Sequence, residues 1–239
     1  PTTLAPTSAP EPTAVEPASL PTAPVNEADP ASGLYASYVS GLGDAGFLSD
    51  FNLEIVFSGF WTVEFQAAVV KAAEYLSRVV TGDLADVNGI DDVRVTVSLG
   101  VIDGMAGAVA TGAPTGLRAD SRLPHSADLV FETRDAFTAE AYGFLDDIAL
   151  HEILHGLGFG NLWSLMNLVS TAPDGSLRYI GEKGTAAYAA AYPEIAAADP
   201  GAAYGVLVES QGGSGSAGVH WDDFTFRQEI MTSSINISN

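Results

Sequence analysis

The segment Asp146-Asp147-Ile148-Ala149-Leu150-His151-Glu152-Ile153-Leu154-His155-Gly156-Leu157-Gly158 constrains this chain more than any other. Ile148, Leu150, Ile153, Leu154 and Leu157 supply a helical apolar face, the Asp pair a cap and first-turn negative charge, and Gly158 a stop. At about 3.6 residues per turn, His151 and His155 project from one face and Glu152 sits beside it. Two such imidazoles suit one Zn²⁺ at about 2.0–2.1 Å each, leaving the glutamate to take a proton from water. With 4 His and 13 Glu in 239 residues, this three-residue match arises by chance on the order of 1 time in 300. A helix with two incidental histidines is therefore the poorer reading.

Composition narrows the chemistry further. The chain has no cysteine, so disulfides, thiol nucleophiles and thiolate metal sites are excluded, and a metal must sit on nitrogen or oxygen. Only 16% of residues are charged, yet the net charge is −21, which repels phosphate backbones and anionic membrane surfaces. Nucleic-acid binding is not expected. No apolar run approaches the roughly 18 to 20 residues of a membrane-spanning helix. No signal peptide is visible, and a chain beginning at Pro1 is expected to have been trimmed.

Residues 1–32 are rich in Pro, Thr, Ala, Ser and Glu, without Lys, Arg or aromatic residues, and read as a disordered linker. One domain follows over 33–239. Leu53 to Phe57 reads as a strand ended by Ser58-Gly59, and Thr62 as the cap of a helix over Val63 to Val80. Val93 to Val101 alternates as a strand, with Val95, Val97, Leu99 and Val101 on one face. Ile102 to Arg118 is undecided between thin strand and loop, and Ala127 to Glu132 is a short strand. The order predicts an α+β fold. Asn167 to Gly218 reads as a long surface excursion, with a turn at Pro173-Asp174-Gly175, an Ala-rich helix over Thr185 to Tyr192 and a glycine-rich stretch from Gly212.

A catalytic zinc needs a third protein ligand and an open position. The candidates are His125, His220, Glu182, Glu194 and Glu209. The short metzincin pattern would put a histidine at position 161, where this chain has Asn161, a poor ligand. His220 is the better candidate, lying in Gly218-Val219-His220-Trp221-Asp222-Asp223-Phe224, eleven residues before Met231.

Taken together, His151-Glu152-x-x-His155-x-x-Gly158-Phe159, the long insertion, His220-Trp221 and Glu229-Ile230-Met231-Thr232 resemble the leishmanolysin family of metzincin metallopeptidases. The resemblance is strong over Leu145 to Asn236 and weaker from Asn52 through the first helix. It implies a twisted mixed sheet, a long backing helix, an active-site helix and an irregular C-terminal subdomain, dividing near residue 160. It implies His151, His155 and His220 as zinc ligands, Glu152 as general base and Met231 beneath the metal. Well-known members are cysteine-rich, so this chain resembles a compact bacterial-type relative. The chain stops at Asn239, eight residues after Met231, where relatives continue into a further helix, so a processed or truncated end is expected.

The chemistry so implied is endopeptidase cleavage by a zinc-activated water, in a secreted, monomeric enzyme acting on a polypeptide. The substrate would pair with an edge strand supplied by Val101 to Ala113 or by Ala127 to Glu132. Bland readings attach to His125 as a loop histidine, and to Trp61 and Trp163 as packing residues; Trp221 adjoins a candidate ligand and can wall the site. Asp222 and Asp223 offer oxygen to a Ca²⁺ ion or partners to His220, though a solvated acidic pair is the plainer reading. Two rivals stand: a zinc hydrolase whose third ligand is Glu182, Glu194 or Glu209, and a non-catalytic adhesion or matrix module with a structural zinc.

Overall fold

A computed structural model describes residues 25–105, 107–213, 215–227 and 229–234. Residues 1–24 of the expected linker lie outside the described residues. Within its remainder, the Asn26 side chain brackets Val39, accepting from its N–H and donating to its carbonyl, and Ala28 bridges Tyr35. That stretch is tied to the first strand.

Strand β1 (Ser37–Val39) pairs antiparallel with β2 (Leu53–Ser58), whose alternating Leu53 and Ile55 are fully buried. Helix α1 (Val63–Val79) starts where Thr62 accepts the Phe65 N–H, and buries Phe65, Val69, Ala72, Ala73 and Leu76 along one stripe. It crosses over to β3 (Val93–Gly100), parallel to β2. Val101, expected on the inner face of β3, is 84% exposed, because the ladder with the next strand ends at Gly100.

The undecided stretch holds a strand, β4 (Ala110–Leu117), antiparallel to β5 (Pro124–Glu132). Its Ala, Thr, Gly and Pro residues carry little intrinsic strand signal; pairing with β5 makes it a strand, and Pro114 is tolerated because β4 is an edge. The sheet order is β1-β2-β3-β5-β4, so β5 (the expected Ala127 to Glu132 strand, begun earlier at Pro124) is interior and cannot offer a free edge. The result is an α+β fold around a mixed five-stranded sheet.

Helix α2 (Thr133–Tyr142) leads into α3 (Leu145–Gly156), which packs beside α1 and buries Leu145, Ile148, Ala149 and Ile153. The Asp pair does not cap α3. The cap position is Phe144, without a side-chain bond, and Asp146 and Asp147 fall in the first turn, where they still complement the dipole.

The excursion is less irregular than its sequence suggests. The Pro173-Asp174-Gly175 turn joins β6 (Val169–Thr171) to β7 (Leu177–Tyr179), and β8 (Val206–Leu207) completes a three-stranded sheet. Helices α4 (Glu182–Ala191) and α5 (Pro193–Ala198) pack over it, and Tyr188, Val206 and Phe226 of α6 (Asp223–Phe226) form a second small core. Its strands are too short and too aromatic-poor to read from sequence, and the core depends on aromatics drawn from distant segments. Among the described residues, no helix is long and apolar enough to cross a membrane.

Candidate metal centre

Helix α3 lifts His151 and His155 one turn apart into a cleft of about 1070 Å³, their rings edge to face at 4.6 Å. The helix stops because Gly158, at φ +99°, turns the chain, and the Gly158 N–H caps the His155 carbonyl. That turn returns the Phe159 carbonyl to His155, whose Nδ1 donates to it at 2.9 Å.

His220 arrives from the other side. Val208 bridges Trp221, and the Glu209 N–H donates to the His220 carbonyl, closing the base of the glycine-rich loop. The buried Glu209 carboxylate accepts the N–H groups of Gln211 and Asp223, at 2.6 and 3.2 Å. The loop then packs tightly on the turn after α3: a Cβ on Gly160 would lie 1.9 Å from the Val219 carbonyl oxygen.

The three rings converge. His220 Nε2 lies 3.1 Å from His151 Nε2 and 2.9 Å from His155 Nε2. Each Nδ1 faces a backbone carbonyl: Ile230 for His151 at 2.7 Å, Phe159 for His155 and Ser216 for His220 at 3.2 Å. A carbonyl only accepts, so all three protons belong on Nδ1 and all three Nε2 lone pairs point at one another. Such an arrangement is repulsive without a cation between the rings. Two nitrogens about 2.0–2.1 Å from one ion lie roughly 3 to 3.4 Å apart, so the spacing fits a zinc-sized ion. Burial lowers the basicity of all three, His151 to about 4 and His155 to about 3, which keeps the rings neutral and able to act as ligands.

Glu152 is buried in the same cleft. Desolvation pushes its carboxyl up to about 8, opposed in part by the nearby backbone N–H of Gly112 on the edge strand. Met231 is fully buried. The carbonyl of the preceding Ile230 holds His151, and the Met231 carbonyl accepts the Trp221 N–H, so this turn touches the segments bearing two of the histidines. Glu229, whose carboxyl is raised by burial, accepts the Met231 N–H at 2.6 Å.

Other candidates fall elsewhere. Among the described residues, Glu182, Glu194, Glu209 and His125 do not join the three histidines in a group of potential ligands. Glu182 and Glu194 lie exposed in the first turns of α4 and α5. His125 is not a loop histidine but a residue of β5, with Nδ1 buried and unpartnered. Trp61 packs on Phe57 and Phe65, away from the cleft. Trp221 packs edge-on to Phe159 and Tyr179 and tilted against Trp163, next in the chain to His220. The acidic pair is not merely solvated: Asp222 caps α6 through the Thr225 N–H, and Asp223 binds Ser233 and Ser234 just after Met231. Neither is among the acidic groups that converge at metal-ligand distances.

Sequence reading missed Gly112, Gly160 and Asn161. Asn161 donates to the carbonyls of Gly112 at 2.9 Å and His155 at 3.2 Å, a role that no local sequence pattern signals. The Gly158–Gly160 pair beside a metal motif was the available signal of a close approach. Comparison with family models and with curated proteins finds no match to this chain.

Proposed function

We propose that this chain is a zinc-dependent endopeptidase, a cysteine-free metzincin of the leishmanolysin-like kind. The observation that carries the reading is the convergence of three Nε2 lone pairs, each ring held in that tautomer by a carbonyl on Nδ1. His151, His155 and His220 would hold the ion, whose Lewis acidity would polarise a carbonyl and acidify a water. Glu152 serves as the base. Its buried carboxylate takes a proton from water and can pass it to the departing amine. The exposed edge of β4 runs along the cleft, with Val109 to Gly112 in its wall, and offers main-chain groups to an extended polypeptide. Met231 forms the floor beneath the histidines, and the resemblance together with the acidic composition suits a secreted enzyme.

The test pairs zinc analysis with cleavage of a casein-type substrate, for the protein as isolated, after chelation, and as Glu152→Gln. One zinc per chain, chelator-sensitive cleavage and a variant that keeps zinc but loses cleavage are expected. Zinc binding without any cleavage would instead make the chain a metal-stabilised binding module, and a fully active Glu152→Gln would remove the base assignment.

A further inference from the structure

Gly112 is the point where the edge strand meets the helix of the candidate base. A Cβ there would lie 2.3 Å from the Glu152 carbonyl oxygen, so β4 rests flush against the α3 backbone at Glu152 itself. The Gly112 carbonyl accepts from Asn161 Nδ2, and the Gly112 N–H lies close enough to the Glu152 carboxyl to favour its charged form. On an antiparallel strand the N–H and C=O of one residue point the same way. Both groups of Gly112 are thus turned off the β5 ladder and toward the cleft, although Gly112 stands opposite Leu129 in register. β5 does not hold Gly112 at this point through them. Asn161 does, and its second amide proton goes to the His155 carbonyl at the end of α3. The side chain is aimed by its neighbour: Gly160 sits at φ +69° under the Val219 carbonyl, leaving the following residue little freedom to swing away.

We propose that Asn161 is a positioning residue: its amide clamps the β4 edge to the C-terminal end of α3, and through Gly112 sets where the Glu152 carboxylate points. This inference rests on Glu152 being the base. Asn161 touches neither substrate nor the reacting atoms in this role. It lies open to the cleft, so replacing it buries no unpaired polar group and leaves the fold largely intact.

The experiment compares Asn161→Ala, Asn161→Asp and Asn161→Gln with the unaltered zinc-loaded chain on a fluorogenic peptide. Asn161→Asp keeps the shape but removes both donors. With Ala or Asp, kcat should fall about 10- to 100-fold, the scale of a misplacement near 1 Å, while KM stays within about threefold. Zinc affinity, read by chelator competition, should be unchanged, and amide exchange over residues 110–113 should accelerate. Gln, which keeps the donors, should recover part of the loss. In a Glu152→Gln background, adding Asn161→Ala should lower the residual rate by less than about threefold, because the group it aims is gone.

A wild-type kcat in Asn161→Asp with Glu152→Gln inactive overturns this inference alone. So does a full multiplicative loss in the double variant, or a loss of zinc affinity that matches the loss of kcat. A wild-type rate in Glu152→Gln overturns the base assignment beneath it. Should Asn161→Ala fail to fold, the Asp and Gln variants and the exchange rates still decide.

Discussion

Gly160 is the most demanding glycine in the molecule, and Gly160→Ala separates two costs that usually arrive together. The added Cβ would stand 1.9 Å from the Val219 oxygen and 2.7 Å from its carbon, so that peptide must retreat by about 1.5 Å to reach ordinary contact. The backbone is also left-handed at φ +69°, a conformation that costs an alanine about 1 to 2 kcal/mol. Adding overpacking of about 1 to 3 kcal/mol, the variant should lose roughly 2 to 5 kcal/mol, a fall in Tm of about 4 to 20 °C for a domain of this size. Because Val219 precedes His220, the displaced peptide carries one ring out of the cluster, and zinc affinity should weaken at least about tenfold. Two controls isolate the causes. Gly175, at φ +86° with nothing within 4 Å of a Cβ, should show only the backbone cost, about 2 to 8 °C, with zinc affinity unchanged. Gly215, open and without positive φ, should show neither effect. Thermal melts of the apo and zinc-loaded forms, with a chelator competition titration, read all three. If Gly160→Ala binds zinc as tightly as Gly175→Ala, the packing of this turn does not place His220.

Further expectations follow from the same geometry. His220→Ala should weaken zinc binding by orders of magnitude while His125→Ala leaves it unchanged; metal titration of both decides, and equal losses would remove His220 from the ligand set. Glu152→Gln should lower kcat by about 10²- to 10⁴-fold with zinc retained, read by single-turnover cleavage and metal analysis. Asp199 holds Arg178 of β7 through two hydrogen bonds, and Arg178 is almost wholly buried. Asp199→Ala should therefore cost about 2 to 4 kcal/mol near pH 7. Arg178 lowers the Asp199 carboxyl below its ordinary value, so the pair stabilises above the unfolded pKa of about 3.9 and is lost as pH falls through the lower folded value. The gap in Tm between wild type and variant should accordingly close below about pH 4. Lys71→Ala, at an exposed pair with Asp146, should leave the denaturant midpoint indistinguishable from that of the unaltered chain.

What could be read in advance was whatever depends on neighbours along the chain. Thr62, the apolar stripe from Phe65 to Leu76 and the alternation from Val93 are local patterns, and they became a cap, a helix and a strand nearly where expected. β4 was not legible. Its residues have little strand preference of their own, and only pairing with β5 and packing against α3 at Gly112 hold them extended. The Asp146-Asp147 pair misled because two acids beside an apolar run look like a cap, while the chain enters α3 two residues earlier through Phe144.

The centre divides along the same line. A spacing of four residues puts His151 and His155 on one helical face with Glu152 alongside, because helical geometry is local and any helix through them does this. The absence of cysteine likewise settled in advance that a metal here rests on nitrogen and oxygen. Only the tertiary structure could bring His220 across 65 residues to within 2.9 Å of His155, choose the ring tautomers through the Ile230, Phe159 and Ser216 carbonyls, and turn Asn161 from a failed ligand into a clamp. Those relations depend on closing a long loop onto a turn with no room for a side chain, and no periodicity along the chain encodes such a contact.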